Sequence, residues 1–292
     1  MKNVLFFGGS SLLATILANY WKDSFKIFKT IHKQLIEADG INIIQVKEIS
    51  EATVKKILLK HKIDLLINCV GLTNVEECEK HPFQANYLNA EVPLIIAKTC
   101  LQLKIKFIHI STDHLFDGTK ELSSELDIPV PLNQYAKTKL KGDQNVANNN
   151  SDSLIIRTNF FGIGPNYKPS FSDFITNALD QGEEIELFED VFFTPIHVNE
   201  IARIIIELLK NNEKGIFNIA SDERISKYEF GLMIAKIMNF SPLLIKKGSI
   251  GKREDLVKRP KDMSLSNNKT KEKLNIEVKP ILDQIKLLKI NK

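Results

Sequence analysis

A doubly wound α/β fold, with a parallel sheet and a smaller second lobe, is what three features of the sequence predict. Short apolar runs alternate with helical ones through the first half of the chain. Most of these runs are apolar throughout rather than every second residue. A glycine-containing turn joins the first run to the first helix. Strands that are apolar on both faces need helices on both sides, so the three features point to one architecture.

The candidate strands are 4–7, 26–30, 42–46, 65–70, 107–111 and 154–158, with helices at 12–21, 51–60, around 93–103 and at 133–148. The pattern changes after Arg157-Thr158. Phe160-Phe161-Gly162-Ile163-Gly164-Pro165 is turn-rich, a helix follows at 171–179, and 190–195 leads into another at 198–209. Gly215-Ile216-Phe217-Asn218-Ile219-Ala220 reads as a strand returning to the sheet. Ser226 and Glu229 have capping-box spacing at the head of an amphipathic helix over 226–238, and a final helix is expected near 280–288. The division that follows is a sheet domain over 1–158 plus about 196–222, and an interleaved lobe over 159–195 and 223–292.

With 292 residues the chain can bury a substantial core, and 43% hydrophobic and 26% charged residues are ordinary for a soluble globular protein. No apolar run approaches the roughly 20 residues that cross a bilayer, so no membrane span is expected. Residues 1–8 lack a small-residue cleavage site and read as a buried first strand rather than a signal peptide. Cys69, Cys78 and Cys100 match neither a zinc nor a redox spacing, and are expected to be reduced thiols of a cytoplasmic protein. A net charge of +4 is too small for a nucleic-acid partner, and no cluster has metal-site spacing. Much of the basic excess lies late, in Lys246-Lys247, Lys252-Arg253, Lys258-Arg259-Pro260-Lys261 and Lys269 to Lys273. Such residues form either a solvated face or a pocket for an anionic substrate.

Gly8-Gly9-Ser10-Ser11-Leu12-Leu13-Ala14 follows the first strand and opens the first helix. A dinucleotide fingerprint would have glycines where this chain has Gly8, Ser11 and Ala14. Gly8 allows the tight turn and the helix start offers N–H groups to a pyrophosphate, while the Ser11 side chain crowds the closest approach but brings a hydroxyl. Gly8, Ser10, Ser11 and Leu12 are therefore candidate cofactor contacts, and so are Glu48-Ile49 and Cys69-Val70-Gly71 after later strands. The end of the second strand, Ile27-Phe28-Lys29-Thr30-Ile31-His32-Lys33, carries no acidic residue to bond a ribose 2′-hydroxyl. NADPH is expected, with Lys29, His32 and Lys33 as candidates for its 2′-phosphate and NADH as the alternative.

The most specific signal is a pair of segments. Ser111-Thr112 closes the apolar run Phe107-Ile108-His109-Ile110, and Tyr135 and Lys139 stand four apart on one helix face. Hydroxyl, phenol and ammonium are what a site needs to protonate a carbonyl oxygen while hydride reaches the carbon. A free tyrosine has a pKa near 10; lowering it by about two units takes about 2.7 kcal/mol, which a neighbouring ammonium can supply in a desolvated site. His114 is a candidate pocket residue, whereas His197 precedes a helix and is expected to bond locally.

These segments resemble the extended short-chain dehydrogenase/reductases, and within them the dTDP-4-dehydrorhamnose reductase family. The resemblance is carried by Ser111-Thr112-Asp113-His114-Leu115-Phe116-Asp117-Gly118 and by Asn133-Gln134-Tyr135-Ala136-Lys137-Thr138-Lys139-Leu140-Lys141-Gly142. Singly weaker matches are the Gly-rich start, Ile156-Arg157-Thr158, Thr194-Pro195, 215–220 and Arg259-Pro260. It implies a Rossmann NAD(P)-binding domain, a substrate-binding lobe, and NADPH-dependent reduction of the 4-keto group of a nucleotide-linked deoxysugar. It implies Tyr135 as general acid, Lys139 as the residue that lowers its pKa and holds the nicotinamide ribose, and Thr112 with Ser111 on the substrate carbonyl. Thr73 and Val75 would flank the sugar, with Asp113, His114 and Phe160 also on the substrate, and Arg259 on the nucleotide diphosphate.

Departures are the reduced glycine fingerprint, His114 in place of the family's usual Tyr, and Phe160 where a Trp is common. The last two fall at the expected sugar site. Two other readings stand beside the reductase: an epimerase of the same fold, and a non-catalytic regulator resembling the β subunit of methionine adenosyltransferase. A homodimer is compatible with any of them.

Overall fold

The computed structural model describes residues 1–32, 34 and 40–290. It contains two compact units: Met1–Thr112 with Asn133–Arg157 and Asn212–Phe217, and Asp113–Leu132 with Thr158–Asn211 and the chain from Asn218 onward.

In the first unit the chain runs β1 (Asn3–Phe7), α1 (Leu12–Trp21), β2 (Lys26–Ile31), β3 (Asn42–Gln45), α2 (Glu51–Lys60) and β4 (Leu65–Asn68). It continues through α3 (Val75–Lys80), α4 (Pro82–Asn86), a π-helical turn at Tyr87–Glu91, α5 (Val92–Gln102), β5 (Lys106–Ile110), α6 (Gln134–Asn149) and β6 (Leu154–Arg157). One sheet of seven strands has the order Gly215–Asn218, β6, β5, β4, β1, β2, β3. From β6 to β3 all neighbours run parallel. The chain winds outward from β1 to β3 and then resumes on the other side at β4. The carboxyl ends of β1 and β4 are therefore the switch point at which such sheets bind ligands.

The period of two explains the double winding. Leu5, Phe7 and Leu66 pack with Val54 and Leu58 of α2, Ile96 and Ala97 of α5 and Val146 of α6. Phe6 points the other way, to Trp21 of α1 at a ring-centroid distance of 5.9 Å. In this unit the limits of the expected strands and helices fall within two residues of the sequence expectation, and 75–91, for which no element was expected, is helical.

The second unit contains β7 (Phe160–Phe161), α7 (Phe171–Asp180), β8 (Ile185–Phe188), β9 (Phe192–Phe193), β10 (Ile196–His197) and α8 (Val198–Lys210). After β11, the returning strand Gly215–Asn218, come β12 (Ile225–Ser226), α9 (Lys227–Met238), β13 (Ile245–Gly248), α10 (Asn268–Leu274) and α11 (Ile281–Ile290). Its short strands pair two by two: β7 with β10, β9 with β12 and β8 with β13. Ser170 and Ser226 head α7 and α9 with full capping boxes, using Asp173 and Glu229. Phe230 of α9 lies at the middle of the core, edge-on to Phe161 at 5.1 Å and to Phe193 at 5.5 Å.

Candidate active site

In the first unit, β5 is interior to the sheet and its last four residues are buried, so the chain leaves it at a fixed point. Ser111 and Thr112 follow at once, 6% and 4% exposed. The helix α6 begins at Asn133, whose side chain accepts from the Ala136 N–H at 2.9 Å. Its buried stripe holds Tyr135, Lys139, Gly142, Asp143 and Val146, a spacing of three and four. The Lys139 ammonium donates to the carbonyl oxygen of Ile110 at 2.7 Å. That bond brings the helix cation to the strand end that carries both hydroxyls, with Tyr135 one turn earlier on the same face. Burial lowers Lys139 from its ordinary value to about 8, opposed by Asp143 and Cys69.

The stripe rests on a second layer of polar residues. Asp143 accepts from Arg157 Nε at 3.2 Å and faces His109 Nε2 at 3.7 Å. The Asn68 amide oxygen accepts from the Val70 N–H, which aims its Nδ2 at His109 Nδ1, 3.1 Å away. His109 is thereby held as the tautomer with its proton on Nε2, toward Asp143. Burial keeps its pKa well below the ordinary imidazole value, and Lys139 adds to this.

Sequence reasoning passed over Asn89, fully buried in the π-helical turn. Its side chain accepts from the Leu72 N–H at 2.8 Å and donates to the Leu72 carbonyl and the Thr138 hydroxyl, each at 3.0 Å. It ties the loop after β4 to α6. The available signal was an amide inside an apolar stretch, Leu88-Asn89-Ala90.

At the switch point Gly8 has φ +86, and a Cβ there would fall 2.8 Å from Val70 N and 2.9 Å from the Cys69 carbonyl carbon. Gly9 is as constrained: its Cβ would meet the Lys29 Cβ at 2.5 Å. Ser11 caps α1 by accepting from the Ala14 N–H at 3.2 Å, so this hydroxyl also serves the helix start. Ser10 and Leu12 flank it, and no acidic residue stands in the first turn of α1. A glycine turn that leads into a helix start with no acidic residue in its first turn fits a dinucleotide pyrophosphate.

The basic candidates at the end of β2 separate. Lys29 is 2% exposed, its ammonium turned to Thr15 Oγ1 at 3.4 Å and lowered by burial to about 8. His32 is exposed, with Nε2 3.2 Å from the Lys47 carbonyl; Lys33 lies outside the described residues. Glu48 is exposed and Ile49 accepts from the Tyr87 hydroxyl. Cys69, Val70 and Gly71 are half-buried beside Gly8, Thr73 is exposed, and Val75 is the buried first residue of α3.

In the second unit Asp113 is buried and accepts from the Asn159 amide at 2.6 Å, with His114 Nε2 3.9 Å from its other oxygen. Burial lowers the His114 pKa, and the cations of Lys227 and Arg259 lower it further against Asp113. Lys227 had no place in the sequence reading. Its ammonium sits 3.3 Å from the Phe193 ring centroid and 4.8 Å from that of Phe171. Phe160 is half-buried in β7. His197 caps α8, accepting from the Asn199 N–H at 3.1 Å.

Two of the family blocks meet here. A Cβ on Gly118, at φ +81, would lie 2.9 Å from Asp262 N and from Pro260 Cβ. Beside them is a cavity of about 470 Å³, lined by Gly118, Leu132, Ile250, Arg253, Arg259 and Lys261 among others. Among the described residues no group of three or more His, Cys, Asp and Glu can hold a metal, and no helix is long and apolar enough to cross a membrane.

The family model of the RmlD substrate binding domain matches residues 1–288. Over 212 residues, 71% of each chain, the sequence is 32% identical to the probable low-salt glycan biosynthesis reductase Agl14 of Haloferax volcanii. It is 28% identical to methionine adenosyltransferase 2 subunit beta of Bos taurus, over 67% of this chain but only 60% of that longer protein. A structure of dTDP-4-dehydrorhamnose reductase from Bacillus anthracis, in complex with NADP, superimposes over 100% of both chains with a TM-score of 0.85 at 21% identity. Rossmann sheet, strand-end hydroxyls, Tyr135-x-x-x-Lys139 and end-to-end family match agree: the chain belongs to the RmlD substrate binding domain family of the extended short-chain dehydrogenase/reductases.

Proposed function

We propose that the chain is a reductase that uses NADPH to reduce the 4-keto group of a nucleotide-linked deoxysugar. The observation that carries this reading is the Lys139 ammonium on the Ile110 carbonyl, which joins the Tyr135 face of α6 to the Ser111-Thr112 strand end. Bound NADPH supplies hydride to the carbonyl carbon. Thr112, with Ser111, donates a hydrogen bond to the carbonyl oxygen and orients it. The Tyr135 hydroxyl gives its proton to that oxygen as charge develops there, completing the alcohol. The phenolate left behind is stabilised by Lys139, whose desolvation strengthens the attraction. Arg259, in the basic cavity of the second unit, is assigned to the nucleotide diphosphate, and Asp113, His114, Phe160, Thr73 and Val75 to the sugar.

The test is oxidation of NADPH at 340 nm with dTDP-4-dehydrorhamnose and with GDP- and CDP-linked 4-keto sugars. Turnover with one of them, lost in Tyr135→Phe, is expected. An epimerase would instead convert substrate with no net consumption of NADPH. The likeness to the bovine methionine adenosyltransferase subunit favours a second reading, a regulator that keeps the fold to bind a partner. In that case Tyr135→Phe would leave the regulatory effect intact, and none of the sugars would be turned over.

A further inference from the structure

We propose that Glu79 is a positioning residue for Tyr135, joining the loop after β4 to the head of the helix that carries the general acid. This rests on the reading of Tyr135 as the proton donor. The first N–H groups of a helix have no partner within it. A cap side chain serves the second or third of them, and in α6 Asn133 accepts from Ala136. The first, on Gln134, must find its acceptor elsewhere in the chain. It finds Glu79 of α3, 55 positions back, whose Oε1 accepts from it at 2.7 Å. The next residue of α6 is Tyr135, buried at the start of the stripe that also holds Lys139.

The helix that supplies Glu79 is itself fixed to the loop before it. Asn74 caps α3 by accepting from the Glu77 N–H at 2.8 Å. Cys78 Sγ donates back to the Leu72 carbonyl at 3.4 Å. Leu72 to Glu79 therefore form one stiff piece, with Thr73 and Val75, assigned to the sugar, near its start and Glu79 near its end. That piece meets α6 at two places. Asn89, bonded to Leu72, donates to Thr138, and Glu79 accepts from Gln134 one turn earlier. A helix held at one point can pivot, whereas anchors on successive turns fix its direction as well. A carboxylate bonded to a helix-terminal N–H is also among the stronger hydrogen bonds. Glu79 thus holds the turn that carries Tyr135 at a set distance from the loop proposed to flank the sugar.

The test compares Glu79→Ala, which removes the acceptor, with Glu79→Gln, which keeps an acceptor oxygen at the same reach. Without substrate, the full-length protein is followed at the Gln134 amide and at the ring of ¹³C-labelled tyrosine. The Tyr135 ring signal is assigned by its loss in Tyr135→Phe. In Glu79→Ala the Gln134 amide is expected to exchange about tenfold faster and the Tyr135 signal to move. In Glu79→Gln both should return to near their native values. A native Tyr135 signal in Glu79→Ala overturns the proposal. Should that variant not fold, Glu79→Asp, one methylene short of the bond, must displace the same signal, and a native signal there overturns it equally. The kinetics score the reductase reading separately. Under it, kcat falls about tenfold in Glu79→Ala with KM for NADPH unchanged. The solvent isotope effect on kcat rises as proton transfer from Tyr135 slows. A fall in kcat with a native isotope effect would mean lost folded protein, not a misplaced Tyr135, and overturns the positioning role. Displacement of the Tyr135 signal with no sugar turned over would sustain Glu79 and sink the reductase.

Discussion

Gly142 of α6 lies so close to Asn89 that a Cβ added to it would be 2.1 Å from the Asn89 carbonyl oxygen. The obstacle is backbone, so Gly142→Ala must displace the helix that carries Tyr135 and Lys139. Alanine gains about 1 kcal/mol in helix propensity, against an overpacking cost of about 1–3 kcal/mol. A net loss of about 1 kcal/mol is expected in urea unfolding. The displacement acts on the stripe proposed to be catalytic, so kcat should fall by about tenfold to a hundredfold. A variant with native kcat would mean that the close approach does not position the site.

Asn89 makes a second, separable prediction. Asn89→Leu is close in volume but leaves the Leu72 N–H and the Thr138 hydroxyl without their amide partner. The Leu72 N–H is the donor left unpaired, at about 1–3 kcal/mol, while the Thr138 hydroxyl loses a bond it accepts and still donates to the Gln134 carbonyl. A destabilisation of about 1–3 kcal/mol is expected, with faster amide exchange at Leu72. The loop over 71–74 loses its tether, so KM should rise more than kcat falls. Native exchange at Leu72 would show that the loop is held by other contacts.

These two residues mark where the sequence stopped being legible. The strands were readable because both faces of a parallel sheet are buried, so Val4, Leu5, Phe6 and Phe7 read as apolar whichever way they point. Ser111, Thr112, Tyr135 and Lys139 were readable because spacing along one strand end and one helix face is local. Asn89, Lys227 and the inward turn of Lys29 were not. Each is a polar group whose place is decided by what packs on it from elsewhere in the chain: Thr138 on α6, Phe193 on β9 and Thr15 on α1. The π-helical turn is hidden for the same reason, since Tyr87–Glu91 offers no propensity cue that separates it from an α-helix.

The pH dependence of reduction follows from the buried groups. Lys139 is lowered to about 8 by burial, so its charged form dominates below that pH and is lost above it. kcat/KM should be flat from about pH 6 to 7.5 and decline above about 8, approaching tenfold per unit. His109 is lowered well below the ordinary imidazole value by burial and stays neutral over this range, and burial moves His114 in the same direction. A profile flat to pH 10, or an acid limb near 6.5, would contradict this assignment of charges.

The thiols give a test free of substrate. Burial raises Cys69 and Cys100 to about 12 and Cys78 to about 11. Thiolate is the reactive form. At pH 8 the native protein should therefore react with a disulfide reagent about a thousandfold more slowly than a free thiol. In denaturant all three cysteines should react. A fast-reacting thiol in the folded protein would show that one of these sites opens readily to solvent.

Cofactor preference is decided at the end of β2. Among the described residues no carboxylate stands there to bond a 2′-hydroxyl, and with Lys29 turned inward to Thr15, His32 is an exposed basic side chain. NADPH should be preferred over NADH in kcat/KM by at least about tenfold, the worth of one favourable ionic contact at about 1.4 kcal/mol. The contact is exposed, so the preference should shrink as salt rises from 0.05 to 0.5 M. His32→Glu supplies the missing acceptor for a 2′-hydroxyl and repels a 2′-phosphate, so it should bring the ratio to about one or below. Lys29→Met should change stability rather than the ratio, because its ammonium faces α1. If Lys29→Met abolishes the preference while His32→Glu leaves it intact, the buried lysine is the one that reads the phosphate, and β2 must open to let it.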